Sequence, residues 1–232
     1  MDNNQDFETY LFISPNKLII SAIIETSKKI YEKELILKQD SNKLNFGILD
    51  NFLNNNIFKI ENLLNDFVKK VFVIIDFDDF FSIELSIKKN NYENIINLQN
   101  LNHLLIEAKD CCKETIDERK IIHMMIKNYL INNKNYFYLP QDLICNSFSL
   151  DLKFICLSNN LIKKLEEILK KYQISLGKII DAKYVKDLFP NDNQNLIDRA
   201  KETIEGCNKN EIMLVPKTQK NKGFFEKFFH WF

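Results

Sequence analysis

The run Leu11-Phe-Ile-Ser-Pro-Asn-Lys-Leu-Ile-Ile-Ser-Ala-Ile-Ile24 sets the architecture of this chain. Its first three residues are apolar and are followed by Ser14-Pro-Asn16, a composition typical of a turn. From Leu18 to Ile24 the run is nearly all apolar and rich in β-branched residues, as in a strand buried on both faces. These two segments predict a hairpin that opens a β-sheet.

Strands and helices mix along the rest of the chain. A looser alternation predicts a third strand at 30–37, and further apolar runs predict strands at 71–75, 80–87, 121–131, 144–157 and 174–180. Three amphipathic helices are predicted to begin at the capping residues Asn56, Asn97 and Ser158. The helix at Asn56 is expected to carry its apolar stripe to Phe67 and Val68. A short fourth helix is predicted from Leu196 to Ile204, ending at Gly206. The mixture predicts an α/β or α+β fold.

Composition excludes several classes of protein. The chain has 232 residues, 45% of them hydrophobic and 28% charged, which is ordinary for a globular protein with a sizeable core. Its formal net charge is zero, and basic residues are interleaved with acids, so nucleic-acid binding is not expected. The acidic N-terminus does not have the order of a signal peptide, and no apolar run is long enough to span a membrane. We therefore expect a cytosolic protein with reduced, mostly buried cysteines.

The candidates for chemistry are few. Four glycines form neither a Walker loop nor a dinucleotide-binding fingerprint, so no phosphate cradle is predicted. His123 lies within an apolar strand, where a core or edge histidine is favoured over a metal ligand or catalytic base. His103 is interpreted as a solvated partner of Glu107 on a helix. The pair Cys111-Cys112 precedes His123 in sequence, which does not establish the geometry of a cysteine hydrolase.

An acidic turn lies between two predicted strands. Its residues, Asp76, Asp78 and Asp79, have a spacing that suits a divalent ion. A solvated hairpin turn is the favoured interpretation. The sequence therefore predicts no catalytic residue, no metal site and no cofactor.

The last ten residues form an aromatic segment, Gly223-Phe-Phe-Glu-Lys-Phe-Phe-His-Trp-Phe232. On a helix, at about 100° per residue, its aromatic side chains fall within an arc of roughly 160°. The lysines of the preceding stretch 217–222 and Lys227 would favour an anionic lipid surface. We therefore predict a helix that lies on a membrane. The predicted membrane-binding residues are Lys220, Lys222, Phe224, Phe225, Lys227, Phe228, Phe229, Trp231 and Phe232.

The order of elements from 17 to 186 resembles the first half of FtsA, the actin-like bacterial division protein. Leu104-Leu-Ile-Glu-Ala-Lys109 is similar to the helix of that family's inserted subdomain. Ile122-His-Met-Met-Ile-Lys-Asn-Tyr-Leu-Ile-Asn132 is similar to that family's pattern of a histidine, an intervening proline or apolar residue, then an aromatic residue and a short turn. Leu150-Asp-Leu-Lys-Phe-Ile-Cys-Leu-Ser158 is similar to the strand that leads back to the core. A charged linker and a short amphipathic helix also end members of that family.

The resemblance implies half of an actin-like, RNase H-like fold. The core half would consist of residues 8–84 and 158–189, and the inserted α+β subdomain would span 85–157. Residues 190–222 would form a linker with a short helix, and 223–232 the membrane-targeting helix. The second half of the actin-like fold, which closes the nucleotide cleft, has no counterpart here. The family's phosphate-binding turn carries an aspartate and a glycine, whereas Ser14-Pro-Asn16 has neither.

These features predict a non-enzymatic adaptor of cell division that binds no ATP. It would lie on the cytoplasmic face of the inner membrane, at the division site, and tether division proteins there. FtsZ or late division proteins would be its partners, and self-association would strengthen membrane binding.

Two alternatives remain open. An actin-like platform of another envelope machine, such as type IV pilus assembly, would have the same architecture. The aromatic helix could instead dock on this chain's own domain or in a groove of a partner protein.

Overall fold

The computed structural model describes residues 6–24, 28–37, 44–95, 98–140, 143–190 and 195–212. They form two β-sheets with helices packed on them. The mixed α/β class predicted from the sequence is confirmed. The aromatic segment 223–232 and the lysine-bearing stretch 217–222 lie outside the described residues, and their assignment remains a prediction.

The first sheet has five strands. They are β1 (Phe7–Ile13), β2 (Lys17–Ile24), β3 (Lys29–Ile36), β4 (Lys70–Ile75) and β9 (Ser175–Asp181), in the order β3-β2-β1-β4-β9. β1, β2 and β3 form an antiparallel meander, and β4 and β9 add in parallel to β1. The predicted hairpin is confirmed, with Leu11 opposite Ile20.

Both faces of this sheet are covered. Helices α1 (Phe46–Leu64) and α3 (Asn159–Lys171) pack on one face, where Leu11 and Ile13 join a large apolar cluster. Helices α4 (Ala182–Leu188) and α5 (Leu196–Ile204) pack on the other face, where Tyr10 and Phe12 are buried. Successive residues of a strand point to opposite faces, so burial on both sides requires the continuous apolar runs seen in the sequence.

The first helix begins earlier than the sequence predicts. Asn45 is its N-cap, and the Asn45 Oδ1 atom accepts hydrogen bonds from the amides of Gly47 and Ile48 at 3.0 and 3.1 Å. Asn56, the predicted cap, lies inside the helix. Its amide donates to the Phe52 carbonyl, and its Oδ1 accepts from the Tyr31 hydroxyl at 2.6 Å. The predicted cap is wrong because a tertiary partner on β3 satisfies this asparagine within the helix.

The other end of this helix also differs from the prediction. The helix ends at Asn65, which has a left-handed φ of 52°. Phe67 and Val68 therefore follow the helix rather than extend its apolar stripe. Phe67 is exposed. Val68 lies in the segment that leads into β4, and its side chain is buried in the core.

The second sheet is antiparallel and has four strands. They are β5 (Phe81–Ile95), β6 (Arg119–Ile131), β7 (Lys134–Tyr136) and β8 (Ile144–Ser158), in the order β5-β8-β6-β7. Helix α2 (Leu98–Thr115) packs against this sheet. β5 is longer than predicted and continues to Ile95, with an irregularity after Asn90. The proposed cap of α2, Asn97, lies outside the described residues.

The later helices agree with the sequence in part. α3 begins after Ser158 as predicted, although the Ser158 side chain makes no capping hydrogen bond. α5 has the predicted bounds, and Gly206 follows it with a left-handed φ of 90°. The sequence analysis missed α4, a seven-residue helix. Ile197 and Ala200 of α5 are buried against the first sheet, so part of the predicted linker 190–222 belongs to the packed body.

Candidate functional site

The carboxyl ends of β1, β4 and β9 meet at one edge of the first sheet. In open α/β sheets, ligands bind outside the carboxyl ends of parallel strands. A cavity of about 550 Å³ lies at this edge, lined by residues that include Pro15, Asp76, Asp181 and Lys186. We call it the carboxyl-edge cleft. It is where nucleotide chemistry would be expected in this architecture.

The turn between β1 and β2 borders this cleft and is closed by its own hydrogen bonds. The amide of Ser14 donates to the carbonyl of Lys17 at 3.0 Å. The amide of Lys17 donates to the Ser14 hydroxyl at 3.1 Å, and that hydroxyl lies 2.7 Å from the Asn16 Oδ1 atom. Pro15 has no amide hydrogen. Most of the backbone donors that could hold a phosphate at this turn are therefore used or missing.

The acidic turn after β4 reaches the same cleft. The amide of Asp76 donates to the Ile13 carbonyl at 2.8 Å, which fixes the residue beside the β1–β2 turn. Lys186 of α4 contacts both carboxylate oxygens of Asp76, at 2.8 and 2.9 Å. Asp78 and Asp79 are exposed. No group of three potential metal ligands occurs within the described ranges.

A second aspartate lies at the end of β9. The carboxylate of Asp181 caps α4 by accepting from the Lys183 amide at 2.9 Å. Burial raises the pKa of Asp181 above its usual value. The sequence analysis missed this residue, although a signal existed. The sequence Ile-Ile-Asp occurs at 74–76, where Asp76 follows β4, and again at 179–181, where Asp181 ends β9; Ile75 pairs with Asp181 in the sheet.

His123 lies behind the cleft, where the two sheets meet. Its side chain is 5% exposed and packs beside Tyr184, with ring centroids 4.6 Å apart. The Nε2 atom accepts from the Asp181 amide at 3.2 Å, so Nδ1 carries the proton of the neutral ring. Nδ1 donates to the Glu211 Oε1 atom at 2.7 Å. The prediction of a core histidine is confirmed, and both ring nitrogens are engaged.

Glu211 joins this histidine to a third element. The Tyr184 hydroxyl donates to its Oε2 atom at 2.7 Å, and Asn208 donates to the Tyr184 oxygen at 2.9 Å. Burial would raise the pKa of Glu211, but the hydrogen bonds from His123 and Tyr184 outweigh it and hold that pKa below its usual value. We call His123, Tyr184 and Glu211 the C-terminal clasp. It links the segment after α5 to β6 of the second sheet and to α4 of the first.

The backbone supports the same clasp. The amide of Ile126 donates to the Asn210 carbonyl at 2.9 Å, and the amide of Ile212 donates to the Met124 carbonyl at 2.8 Å. The chain is thus held against β6 up to the last residue that the structure describes.

The cysteines do not form a catalytic pair with His123. Cys112 is buried and faces Cys156, and burial raises the pKa of both thiols, that of Cys156 to about 12. Cys111 is exposed on α2. His103 is also exposed on that helix, in agreement with a solvated side chain. Three of the five cysteines are buried, as expected for reduced thiols.

The second sheet presents large apolar side chains to solvent. At one end of the sheet, Ile95 pairs with Ile144 in the strand register, and both are exposed, as is Tyr92 nearby in β5. Beside β7, Phe137 is 73% exposed and Tyr138 is 68% exposed. Exposed apolar side chains of this size are typical of protein-binding surfaces when they are grouped. We call these five residues the exposed apolar residues of the second sheet.

Among the helices within the described ranges, none is long and apolar enough to cross a membrane. All predicted membrane-binding residues, from Lys220 to Phe232, lie beyond the described part of the chain. The structure therefore neither brings them together nor separates them.

No family model and no curated protein sequence matches the chain. Solved structures do. The cytoplasmic domain of EpsL, an inner membrane component of the type II secretion system of Vibrio cholerae, matches over 78% of this chain with 11% identity and a TM-score of 0.36. A PilM–PilN type IV pilus biogenesis complex matches over 80% with 9% identity and a TM-score of 0.46.

A protein of unknown function with an actin-like ATPase fold, from Bacteroides thetaiotaomicron, matches over 82% of the chain with 12% identity and a TM-score of 0.36. The chain covers 57%, 50% and 58% of these three structures in turn. It therefore spans about half of their length.

The fold is defined by the strand order of the first sheet, an antiparallel meander extended by two parallel strands, with a second sheet between β4 and β9. The resemblance implied this arrangement. The chain therefore has a mixed α/β architecture that is similar to half of an actin-like fold, and its assignment to FtsA in particular remains a prediction.

Proposed function

We infer that the chain is a non-enzymatic adaptor that lies on the inner face of a bacterial membrane and binds other envelope proteins there. The observation that carries the non-enzymatic part of this proposal is the closed turn between β1 and β2. Its Ser14 and Lys17 amides are hydrogen-bonded within the turn, and Pro15 supplies no donor. A nucleotide phosphate would have to displace those bonds without gaining a preorganised cradle.

The rest of the carboxyl-edge cleft supports the same proposal. Asp76 is bonded to Lys186, and Asp181 caps α4, so both strand-end carboxylates have structural partners. A calorimetric titration with Mg-ATP is expected to show no binding, and micromolar affinity would contradict the proposal.

Protein contacts are assigned to the second sheet. Among the exposed apolar residues of that sheet, the side chains of Tyr92, Phe137 and Tyr138 are exposed by two thirds or more. Burial of such side chains in a complex is worth about 1.5–3 kcal/mol each before the costs of association. The partners would be proteins of the same envelope machine.

Membrane contact is assigned to the aromatic segment 223–232, on the strength of its sequence pattern. A ten-residue helix is marginal alone in water, so this segment should fold on contact with lipid. The test compares two substitutions that each introduce one carboxylate. Phe228→Asp lies on the predicted aromatic face, and His230→Asp lies on the polar face.

We expect Phe228→Asp to abolish sedimentation with vesicles that contain phosphatidylglycerol, whereas His230→Asp should retain most of it. Both variants should melt at the temperature of the parent. Retained sedimentation of Phe228→Asp would refute membrane binding through this segment. It would favour docking of the aromatic residues on protein.

The machine that the adaptor serves is proposed from the resemblance alone. Cell division, with FtsZ or late division proteins as partners, is the first candidate. A platform in type IV pilus assembly or another envelope machine fits the same architecture. A fluorescent fusion separates the two, since a ring at midcell supports division and a polar or diffuse membrane signal supports the alternative.

A further inference from the structure

A large groove lies between the two sheets, and His123 and Glu211 of the clasp are among its lining residues. Its volume is about 850 Å³, and its floor is apolar, with Ile116, Ile121, Leu176 and Ile179 among the lining residues. β4 and β9 contribute one wall, and α2 and β6 contribute the other. The proposed function assigns no role to it.

The rim of this groove is positively charged. Its acidic lining residues are Glu166 and Glu211, and Glu211 is already bonded to His123 and Tyr184. Six basic side chains line it, and we call it the basic groove. They are Lys70, Lys109, Lys113, Arg119, Lys120 and Lys178.

This charge is local, because the whole chain has a formal net charge of zero. Lys113 forms an ion pair with Asp110 at 3.1 Å on α2. Within the described ranges, Lys70, Lys109 and Lys120 have no acidic group at ion-pair distance. Lysines without such partners keep their charge available for an anionic surface.

The groove lies where the described chain ends. Ile212, the last described residue, lines it and is hydrogen-bonded to β6. Lys217, Lys220 and Lys222 follow within ten residues, and the aromatic segment begins at Gly223. Eleven residues reach at most about 40 Å, so the groove is the face of the body that lies close to the start of this tether.

We propose that the basic groove is the face that the protein turns toward an anionic membrane, with its rim lysines against lipid phosphates. The inference rests on the proposed membrane contact of residues 223–232. Insertion of one short apolar segment into lipid gives only marginal membrane binding. A basic surface that contacts anionic lipid is the usual second contribution to affinity. The groove supplies that contribution and fixes the orientation of the body.

The test uses the full-length chain and vesicles of phosphatidylcholine with or without phosphatidylglycerol. The double variant Lys109→Gln/Lys120→Gln removes two rim charges. The control Lys33→Gln/Lys59→Gln removes two exposed lysines from β3 and α1. β3 is the edge strand opposite β9, four strand spacings or about 19 Å away, beyond the screening length of physiological salt.

A lysine near an anionic surface contributes about fivefold to affinity, so the rim variant should bind anionic vesicles about 25-fold more weakly than the parent. The affinity of the control variant for anionic vesicles should stay within about twofold of the parent's. Both variants should have the melting temperature of the parent. The difference between rim and control should shrink as salt is raised.

Equal losses in the two variants would mean that only net charge matters, and would overturn the assignment of this face. An unchanged rim variant would overturn it too, while Phe228→Asp still reports separately on the aromatic segment. If the rim variant keeps its vesicle binding but loses binding to an acidic amphipathic peptide, the groove belongs to a protein partner and the proposal is wrong.

Discussion

Replacing Glu211 with glutamine should loosen the clasp that holds the segment after α5 against both sheets. The Glu211 carboxylate is 12% exposed and accepts hydrogen bonds from His123 and Tyr184, each 2.7 Å long. A glutamine keeps one acceptor oxygen and turns an amide group toward the second donor. One buried charge-assisted hydrogen bond is therefore lost, at a cost of about 1.5–3 kcal/mol.

The assay is thermal unfolding of Glu211→Gln beside Glu205→Gln. Glu205 lies at the end of α5 and is 60% exposed, with Lys201 3.9 Å away. Surface changes of that kind stay within about 0.5 kcal/mol. For a chain of this size, the expected loss at Glu211 lowers the melting temperature by about 3–12 °C.

Hydrogen exchange should locate the effect. The amides of Ile126 and Ile212 are bonded across the clasp and should exchange faster in Glu211→Gln, while amides in the β1–β2 hairpin should not change. Equal melting temperatures for the two variants would refute the reasoning. So would a loss of protection that is spread evenly over both sheets.

Three further outcomes are expected. Folding lowers the pKa of Glu211, so its contribution to the free energy of unfolding is present above the usual glutamate pKa of about 4.3. That contribution is lost as the pH falls through the folded pKa. The gap in unfolding free energy between the parent and Glu211→Gln should therefore close on acidification. Asn45→Ala removes the N-cap of α1 and should cost about 1 kcal/mol in urea unfolding, whereas exposed Asn54→Ala in the same helix should not destabilise. A Cβ atom at Gly177 would lie 2.9 Å from Phe72 and 3.0 Å from the Val71 carbonyl, so Gly177→Ala should lower the free energy of unfolding by about 1–3 kcal/mol. A Cβ atom at Gly47 would meet only Asn45, at 3.4 Å, so Gly47→Ala should be neutral or stabilising.

Much of the fold could be predicted from hydrophobic pattern and turn residues. The hairpin at 11–24 and the helix at Leu196–Ile204 were predicted close to their observed bounds, because each depends on neighbours in sequence. The cap at Asn56 was predicted wrongly because its partner, Tyr31, comes from another element. Helix α4 was missed because its seven residues are too few to show the helical repeat of apolar side chains.

The site was less predictable. The sequence Ser14-Pro-Asn16 predicts a turn that lacks the residues of a phosphate loop. The hydrogen bonds within the observed turn agree with that interpretation. The partners of His123 could not be foreseen. Glu211 is 88 residues away in sequence, and Asp181 is 58 residues away.

The order of apolar and polar residues by itself determined the mixed class of the fold, the opening hairpin and the aromatic pattern of the last ten residues, since each follows from side-chain periodicity over a few residues. Assembly of the basic groove and the clasp depended on tertiary structure. Lys70, Lys109 and Lys120 come from three elements that meet only when the two sheets pack. Long-range pairing of strands sets those distances, and no local pattern in the sequence encodes them.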